Sequence, residues 1–327
     1  MVSLPVAENW RPLGSTVIWN AGAVILLAIL CDFLSLRHKA HGPHRAAHGL
    51  GCIEWGCPIL PSNPIPPRAL PARFRRSRVL IVGCGDVGQR LARAVQAQAG
   101  ATQRHGPRLL ALTSSPEKMP QLRAAGVLPL LGNLDDLRTL RRLAGVAQRV
   151  LHLAPPPGTG TRDTRTAHLL RALGLGRAPQ ALVYGSTTGV YGDCGGAWVD
   201  ETWPVAPTTP RGLRRVDAQQ QWRAYGLRSG ARVNVLRIPG IYAPDREGGT
   251  PRGRLLKGLP VLVPGDDVFT NHIHADDLAR IAWAALWRGK PQRSYHASDD
   301  TELRMGDYFD LAADLYGLPR PPRVSRQ

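Results

Sequence analysis

Arg78-Val-Leu-Ile-Val82-Gly83-Cys84-Gly85-Asp86-Val87-Gly88 is the stretch on which the reading of this chain turns. Residues 78–82 form a short aliphatic, partly β-branched run of the kind found in buried parallel strands. The glycines then recur as G-x-G-x-x-G, and residues 89–98 continue with a helical pattern. Between a strand and a helix, this spacing reads as a dinucleotide-binding turn. Gly83 permits the tight turn, Gly85 lets the backbone approach a pyrophosphate, and Gly88 permits close helix–strand packing. The helix N-terminus then faces the anion. Cys84, Asp86 and Val87 belong to the same cofactor-binding turn.

Downstream, strand-like and helix-like stretches alternate. Strands are expected at 78–82, 108–113, 127–131, 150–154, 181–184 and 233–238. Helices are expected at 89–98, 117–125, 134–143, 164–173 and 216–228. Such alternation predicts an α/β fold, a Rossmann-type doubly wound parallel sheet covered on both faces. Ligands bind such sheets at the carboxyl ends of the strands. At the second of these ends stand Thr113, Ser114 and Ser115, with Lys118 nearby and no acid before Glu117. NAD enzymes usually carry a carboxylate here for the ribose 2′-hydroxyl. Hydroxyls and a cation suit a 2′-phosphate better, so NADP is preferred over NAD.

Upstream, the text changes. Residues 21–31 are an unbroken apolar run, extendable from Val17 to Leu36 if Asn20 and Asp32 are tolerated, and Arg37, His38 and Lys39 follow. A membrane span needs about 20 apolar residues, and no small-x-small cleavage site follows the run. Residues 40–78 are rich in Pro, Gly, His and Arg without a period. Residues 1–77 therefore read as a leader with three open interpretations: a membrane anchor, a disordered segment, or translated upstream sequence.

The composition bounds the rest. A chain of 327 residues, 43% hydrophobic and 20% charged, excludes a disordered, collagen-like or polytopic membrane protein. The formal charge is +18, with only four lysines among 42 basic residues. The first 78 residues hold nine basic and three acidic groups, +6 of that total. The remaining charge is scattered as Arg, with no compact basic stripe and no interleaved aromatics for stacking on bases. No nucleic-acid partner is expected; the charge suits small anionic ligands. Cys31, Cys52, Cys57, Cys84 and Cys194 form no CxxC pair, so a disulfide framework is not signalled and a reducing, cytoplasmic setting is expected.

From residue 78 to 322 the chain resembles the extended short-chain dehydrogenase/reductase superfamily, its NAD-dependent epimerase/dehydratase group, and in particular the atypical members. The stretches that carry the resemblance are the glycine turn, Gly132-Asn133-Leu134, His152-Leu-Ala-Pro-Pro-Pro157 and Tyr184-Gly-Ser-Thr-Thr-Gly-Val-Tyr-Gly192. Leu236-Arg-Ile-Pro-Gly-Ile-Tyr242 and Asn271-His-Ile-His-Ala-Asp-Asp-Leu278 complete it. The resemblance implies a dinucleotide-binding core over residues 78–240 and a small substrate lobe over 241–320. It places Asn133 and Leu134 near the adenine, Ala154 and Pro155 behind the fourth strand, and Ser186 and Pro239 against the cofactor. It also implies a small anionic metabolite, such as a nucleotide sugar, as substrate, and a homodimer is expected.

The catalytic pattern departs from the family's. Thr187 stands at the position of the Ser/Thr that polarises the substrate oxygen, but the Tyr and Lys of the Tyr-x-x-x-Lys relay fall on Arg211 and Arg215. A guanidinium stays protonated and cannot serve as the acid/base. Tyr191, four residues after Thr187, is the leading replacement, with Asp193, Cys194 and Asp217 behind it. Arg211 and Arg215 either grip a substrate phosphate or carboxylate or form, with Arg214, a solvated basic helix face. His272 takes the place of a family Arg that touches a nucleotide phosphate and is assigned to substrate binding. His272, His274, Asp276 and Asp277 have short metal-like spacing, yet Asp276 or Asp277 is well placed to cap the next helix, and no metal is expected. Non-catalytic NAD(P)H sensing or scaffolding is the alternative function.

Overall fold

In the computed structural model, which describes residues 76–102, 106–246 and 248–326, the aliphatic run becomes strand β1 (Arg78–Val82) and the glycine turn opens helix α1 (Asp86–Thr102). There follow β2 (Arg108–Thr113), a short 3-10 turn and α2 (Met119–Ala124), β3 (Leu128–Leu131), α3 (Leu137–Leu140) and β4 (Arg149–His152). The chain continues through α4 (Thr164–Leu173), β5 (Ala181–Thr187), α5 (Pro210–Ser229) and β6 (Arg232–Ile238). The last part holds β7 (Gly240–Tyr242), α6 (Arg252–Leu256), β8 (Val261–Leu262), β9 (His272–His274), α7 (Ala275–Arg288), β10 (Arg293–His296), α8 (Met305–Tyr316) and β11 (Arg323–Val324). Residues 1–75 of the expected leader, including the stretch from Val17 to Leu36, lie outside the described residues. Among the described residues no helix is long and apolar enough to cross a membrane.

Seven strands form one parallel sheet in the order β3-β2-β1-β4-β5-β6-β10. The reversal of strand order falls between β1 and β4, so their carboxyl ends open a crevice at the topological switch point. Alternation along β1 explains the layering. Val79 and Ile81 face one buried cluster with Leu91 and Val95 of α1 and Leu278 and Ala282 of α7. Leu80 and Val82 face the other, with Leu169 of α4 and Trp222 of α5. The expected doubly wound sheet is therefore the observed one.

Three departures bear on the site. Helix α5 begins at Pro210, six residues before the expected start, because Thr209 caps it: its hydroxyl accepts from Gly212 N at 3.1 Å, and Pro210 is preset for the first turn. The triplet Arg211, Arg214 and Arg215 is thereby helical. Second, β10 was not read from the sequence; Arg293-Ser-Tyr-His296 is an edge strand with little apolar pattern, paired only to β6. Third, α7 is capped by His274, whose Nδ1 accepts from Asp276 N at 3.3 Å. The expected cap at Asp276 or Asp277 is therefore corrected: both acids lie in the first turn, where they suit the helix dipole.

Within residues 241–320, α7 and β10 pack with the main sheet. A separate small cluster gathers Leu255, Val261, Phe309, Ala312 and Ala313 from α6, β8 and α8.

Candidate active site

The glycine turn is shaped by contacts that only glycine allows. Gly83 has φ +85°, and a Cβ there would lie 2.3 Å from Ala154 N and 2.6 Å from Ala154 Cα. The reason is that the backbone after β4 crosses directly beneath it, with Ala154 N donating to Val82 O at 3.0 Å. At Gly88 a Cβ would meet Cys84 Sγ at 3.2 Å and Ile81 Cγ2 at 3.3 Å, which brings α1 close to β1. Gly85 differs from both: nothing lies within 4 Å of a Cβ built there. An open cradle thus sits over the N-terminus of a 17-residue helix, a setting that fits the pyrophosphate of a dinucleotide.

A cavity joins this cradle to the ends of β5 and β6. Its lining includes Gly83, Gly85, Asp86, Val87 and Gly88 on one side, and Ser186, Thr187, Arg211 and Arg215 on the other. Pro239 and Arg246 lie between, with Leu153, Gly185, Ile238, Ile241 and Leu278 supplying backbone and apolar walls. Of the predicted cofactor residues, Cys84, Thr113, Ser114, Asn133, Leu134, Ala154 and Pro155 are outside this lining. Ala154 acts through its backbone beneath Gly83. Asn133 Oδ1 accepts from Asp135 N at 3.0 Å, Leu134 O pairs with His168 Nδ1 at 2.8 Å, and Thr113 Oγ1 accepts from Ser115 N at 3.2 Å. Ser114 is exposed, and Pro155 O accepts from Arg165 NH1 at 3.3 Å.

Cys84 is held by burial as a neutral thiol, its pKa pushed up to about 11. Alkylation with iodoacetamide at pH 8 followed by peptide mapping is therefore expected to leave Cys84 unmodified until the protein is unfolded, because the thiolate is the nucleophile.

The two hydroxyls after β5 are oriented by their neighbours. Ser186 Oγ accepts from Gln219 Nε2 at 2.6 Å, and Gln219 Oε1 faces Arg237 NH2 at 3.5 Å. Because a guanidinium only donates, the amide orientation is fixed and the Ser186 proton is left to point elsewhere. Thr187 Oγ1 accepts from Gly189 N at 3.3 Å, which likewise spends acceptor capacity and leaves a proton to donate.

The basic triplet splits. Arg211 is exposed and lines the cavity. Arg215, one turn on, is buried and donates to Gly185 O at 2.6 Å and Tyr184 OH at 3.1 Å. Arg214 is also buried, donating to Gly160 O at 2.5 Å. A solvated face made of all three is therefore excluded. Tyr184 is pushed up to about 12, by burial, and stays a phenol. His152, behind it at the end of β4, is pushed down to about 3, first by burial and then by the Arg215 charge, and stays neutral.

Tyr191 and His272 do not line the cavity. The Tyr191 hydroxyl is engaged by Arg237 NH1, by Asp200 O at 3.1 Å and by His296 Nε2 at 2.5 Å. Burial raises its pKa, opposed by Arg237. His272 stacks on Tyr308 with ring centroids 4.3 Å apart. Asp217 is spent on Asp163 N at 2.7 Å and Gln221 Nε2 at 2.5 Å, and Asp193 on Gly195 N at 2.9 Å. Cys194 is a partly exposed free thiol outside the cavity lining.

Sequence reasoning missed an ion cluster at the mouth of α1. Arg90, with 4% of its side chain exposed, contacts Asp86 at 2.8 Å, Asp245 at 2.5 Å and Asp276 at 2.9 Å. Arg246 contacts the other Asp86 oxygen at 2.5 Å. Only the Asp86–Arg90 spacing of four was visible in advance; the other acids come from more than 150 residues away.

The sequence profile of the NAD dependent epimerase/dehydratase family matches residues 79–297. A conserved protein of unknown function from Silicibacter pomeroyi DSS is 32% identical, with a TM-score of 0.58 over 76% of this chain and 82% of that one. A dTDP-glucose 4,6-dehydratase from Streptomyces venezuelae with NAD bound is 21% identical, with a TM-score of 0.61 over 76% of this chain and 85% of that one. A UDP-glucuronic acid 4-epimerase from Bacillus cereus in complex with NAD is 18% identical, with a TM-score of 0.60 over 75% and 86%. No curated protein sequence matches the chain. The last two similarities are to the fold alone, but the profile spans two-thirds of the sequence and covers the sheet from β1 through β10, so this chain belongs to the NAD dependent epimerase/dehydratase family.

Proposed function

We propose that the protein is an NAD(P)-dependent oxidoreductase or epimerase acting on a small anionic metabolite of the nucleotide-sugar type, with no Tyr–Lys proton relay. The observation that carries this reading is one continuous cavity that joins the glycine cradle to Ser186, Thr187 and Arg211. When bound, a nicotinamide cofactor supplies a hydride acceptor or donor. Gly83, Gly85 and the α1 N-terminus would hold its pyrophosphate, with Pro239 in the wall of the same cavity. Thr113, Ser114 and Lys118 favour the 2′-phosphate of NADP. Ser186 and Thr187 direct their protons to the substrate oxygen, and Arg211 holds the substrate's anionic group. Arg215 fixes the end of β5 through Gly185 O. A cytoplasmic location and a homodimer accompany this reading; light scattering after gel filtration tests the latter.

The non-catalytic sensor or scaffold is favoured by one specific observation. Among the described residues, the ionisable cavity-lining side chains are Asp86, Arg211, Arg215 and Arg246, with no phenol, imidazole or ammonium. Absorbance at the nicotinamide band, with NADPH or NADH and a panel of nucleotide sugars, separates the readings. The double change Arg211→Tyr with Arg215→Lys is expected to raise turnover at least about tenfold, because a positioned acid/base contributes roughly 10²–10⁴-fold. A wild-type protein already turning over at ordinary family rates would contradict the lost-relay account. Binding without turnover in both proteins would establish the sensor.

A further inference from the structure

We infer that Arg246 is a ligand for the pyrophosphate of the bound dinucleotide, exchanging its partner Asp86 for a phosphate oxygen; this rests on reading residues 83–88 as the dinucleotide site. Asp86 puts a carboxylate at the N-terminus of α1, where the family's cofactor presents two phosphates. Left alone, that carboxylate repels the ligand the cradle is built to hold.

The surrounding ion pairs leave no surplus positive charge to offset it. The five directly bonded groups are Asp86, Asp245 and Asp276 with Arg90 and Arg246, a formal charge of −1. Arg90 cannot turn to the phosphates, since Nε, NH1 and NH2 are each committed to a different carboxylate. Arg93 adds a further cation near Asp245. Arg246 is differently placed. Among the described residues its guanidinium makes one contact, NH1 to Asp86, and its side chain lines the same cavity as Gly83 and Gly85. Its backbone is fixed, with Arg246 N donating to Ala243 O at 3.2 Å and Gly249 N donating to Arg246 O at 2.9 Å. Neighbouring Asp245 is tied to Arg90. The side chain can therefore swing while its anchor stays in place. A nucleotide-sugar diphosphate offers the same chemistry, but the present partner of Arg246 belongs to the glycine turn itself, which points to the cofactor.

Calorimetric titration of NADH, and of ADP-ribose as a diphosphate without nicotinamide, tests this at several KCl concentrations. Arg246→Ala is expected to weaken both ligands by about tenfold to a hundredfold, the worth of a charge-assisted hydrogen bond, and to flatten the salt dependence. Asp86→Asn is expected to tighten both several-fold, an opposite sign that misfolding cannot imitate. UDP-glucose titrated into NADH-saturated protein separates the two diphosphate sources. If wild type binds NADH and Arg246→Ala binds it equally well, or loses only UDP-glucose, the inference is overturned while the dinucleotide site stands. If wild type binds none of NADPH, NADH and ADP-ribose, the dinucleotide reading falls and the inference with it.

Discussion

Gly83→Ala is expected to abolish NADH binding and to cost about 3 kcal/mol of folding stability, read as a lower urea midpoint at unchanged slope. Two effects add. A non-glycine residue at φ +85° carries roughly 1–2 kcal/mol of conformational strain. The new methyl would also sit 2.3 Å from Ala154 N, and that neighbour is backbone rather than the end of a flexible side chain. Relief requires β1 and the segment after β4 to separate, yet Val82 pairs with His152 across the parallel register and Val82 O accepts from both Leu153 N and Ala154 N. The switch-point crevice opens at this place, so the strain is delivered to the glycine turn itself. A variant with wild-type stability and affinity would mean that the turn is far softer than its contacts indicate.

Arg90→Met is the second large effect, expected to lower stability by about 2 kcal/mol near neutral pH. Removing one partner of a fully buried ion pair costs roughly 3–5 kcal/mol. Here the guanidinium is buried but its three carboxylates are partly in water, so the cost is smaller. The pH dependence gives the sharper signature. The bond to Arg90 holds Asp245 and Asp276 below the usual carboxylate range. A carboxylate with a depressed folded pKa stabilises above its unfolded value, about 3.9, and loses that contribution as pH falls through the folded value. The gap between wild type and Arg90→Met should therefore be widest above about pH 5 and close as the pH drops below about 4. A gap independent of pH would assign the loss to packing of the Arg90 stem alone. Because Asp245 lies beside Arg246, the variant should also loosen residues 243–246, visible as faster amide exchange there.

Most of the sheet was legible because its strands are aliphatic runs separated by turn residues. Arg108–Thr113 and Thr164–Leu173 have the expected bounds, and the glycine turn lies where its spacing put it. Two of the misses depended on a partner distant in the chain, and the third had a local signal. The edge strand Arg293–His296 is defined by backbone pairing to β6 rather than by its own side chains. The early start of α5 depended on Thr209 and Pro210, a capping signal present in the sequence but masked by the basic triplet after it. His274 took the cap expected of an acid because Asp276 reaches Arg90. In the site, Arg211 and Arg215, which the resemblance put at the Tyr and Lys positions, line one cavity with Ser186 and Thr187. Tyr191 was an attractive substitute by spacing alone, but spacing does not report that Arg237 and His296 already hold its hydroxyl.

The central claim, that residues 83–88 cradle a dinucleotide, is tested most directly by titrating NADPH and NADH into wild type and Gly85→Ala side by side. Space around Gly85 is open and its φ is ordinary, so the methyl should leave the urea midpoint unchanged while occupying the ligand's place. One-to-one saturation of wild type below about 1 mM, with binding lost in the stable variant, is the predicted result. Wild type that saturates with neither cofactor, or a Gly85→Ala protein that binds as wild type does, would contradict the account.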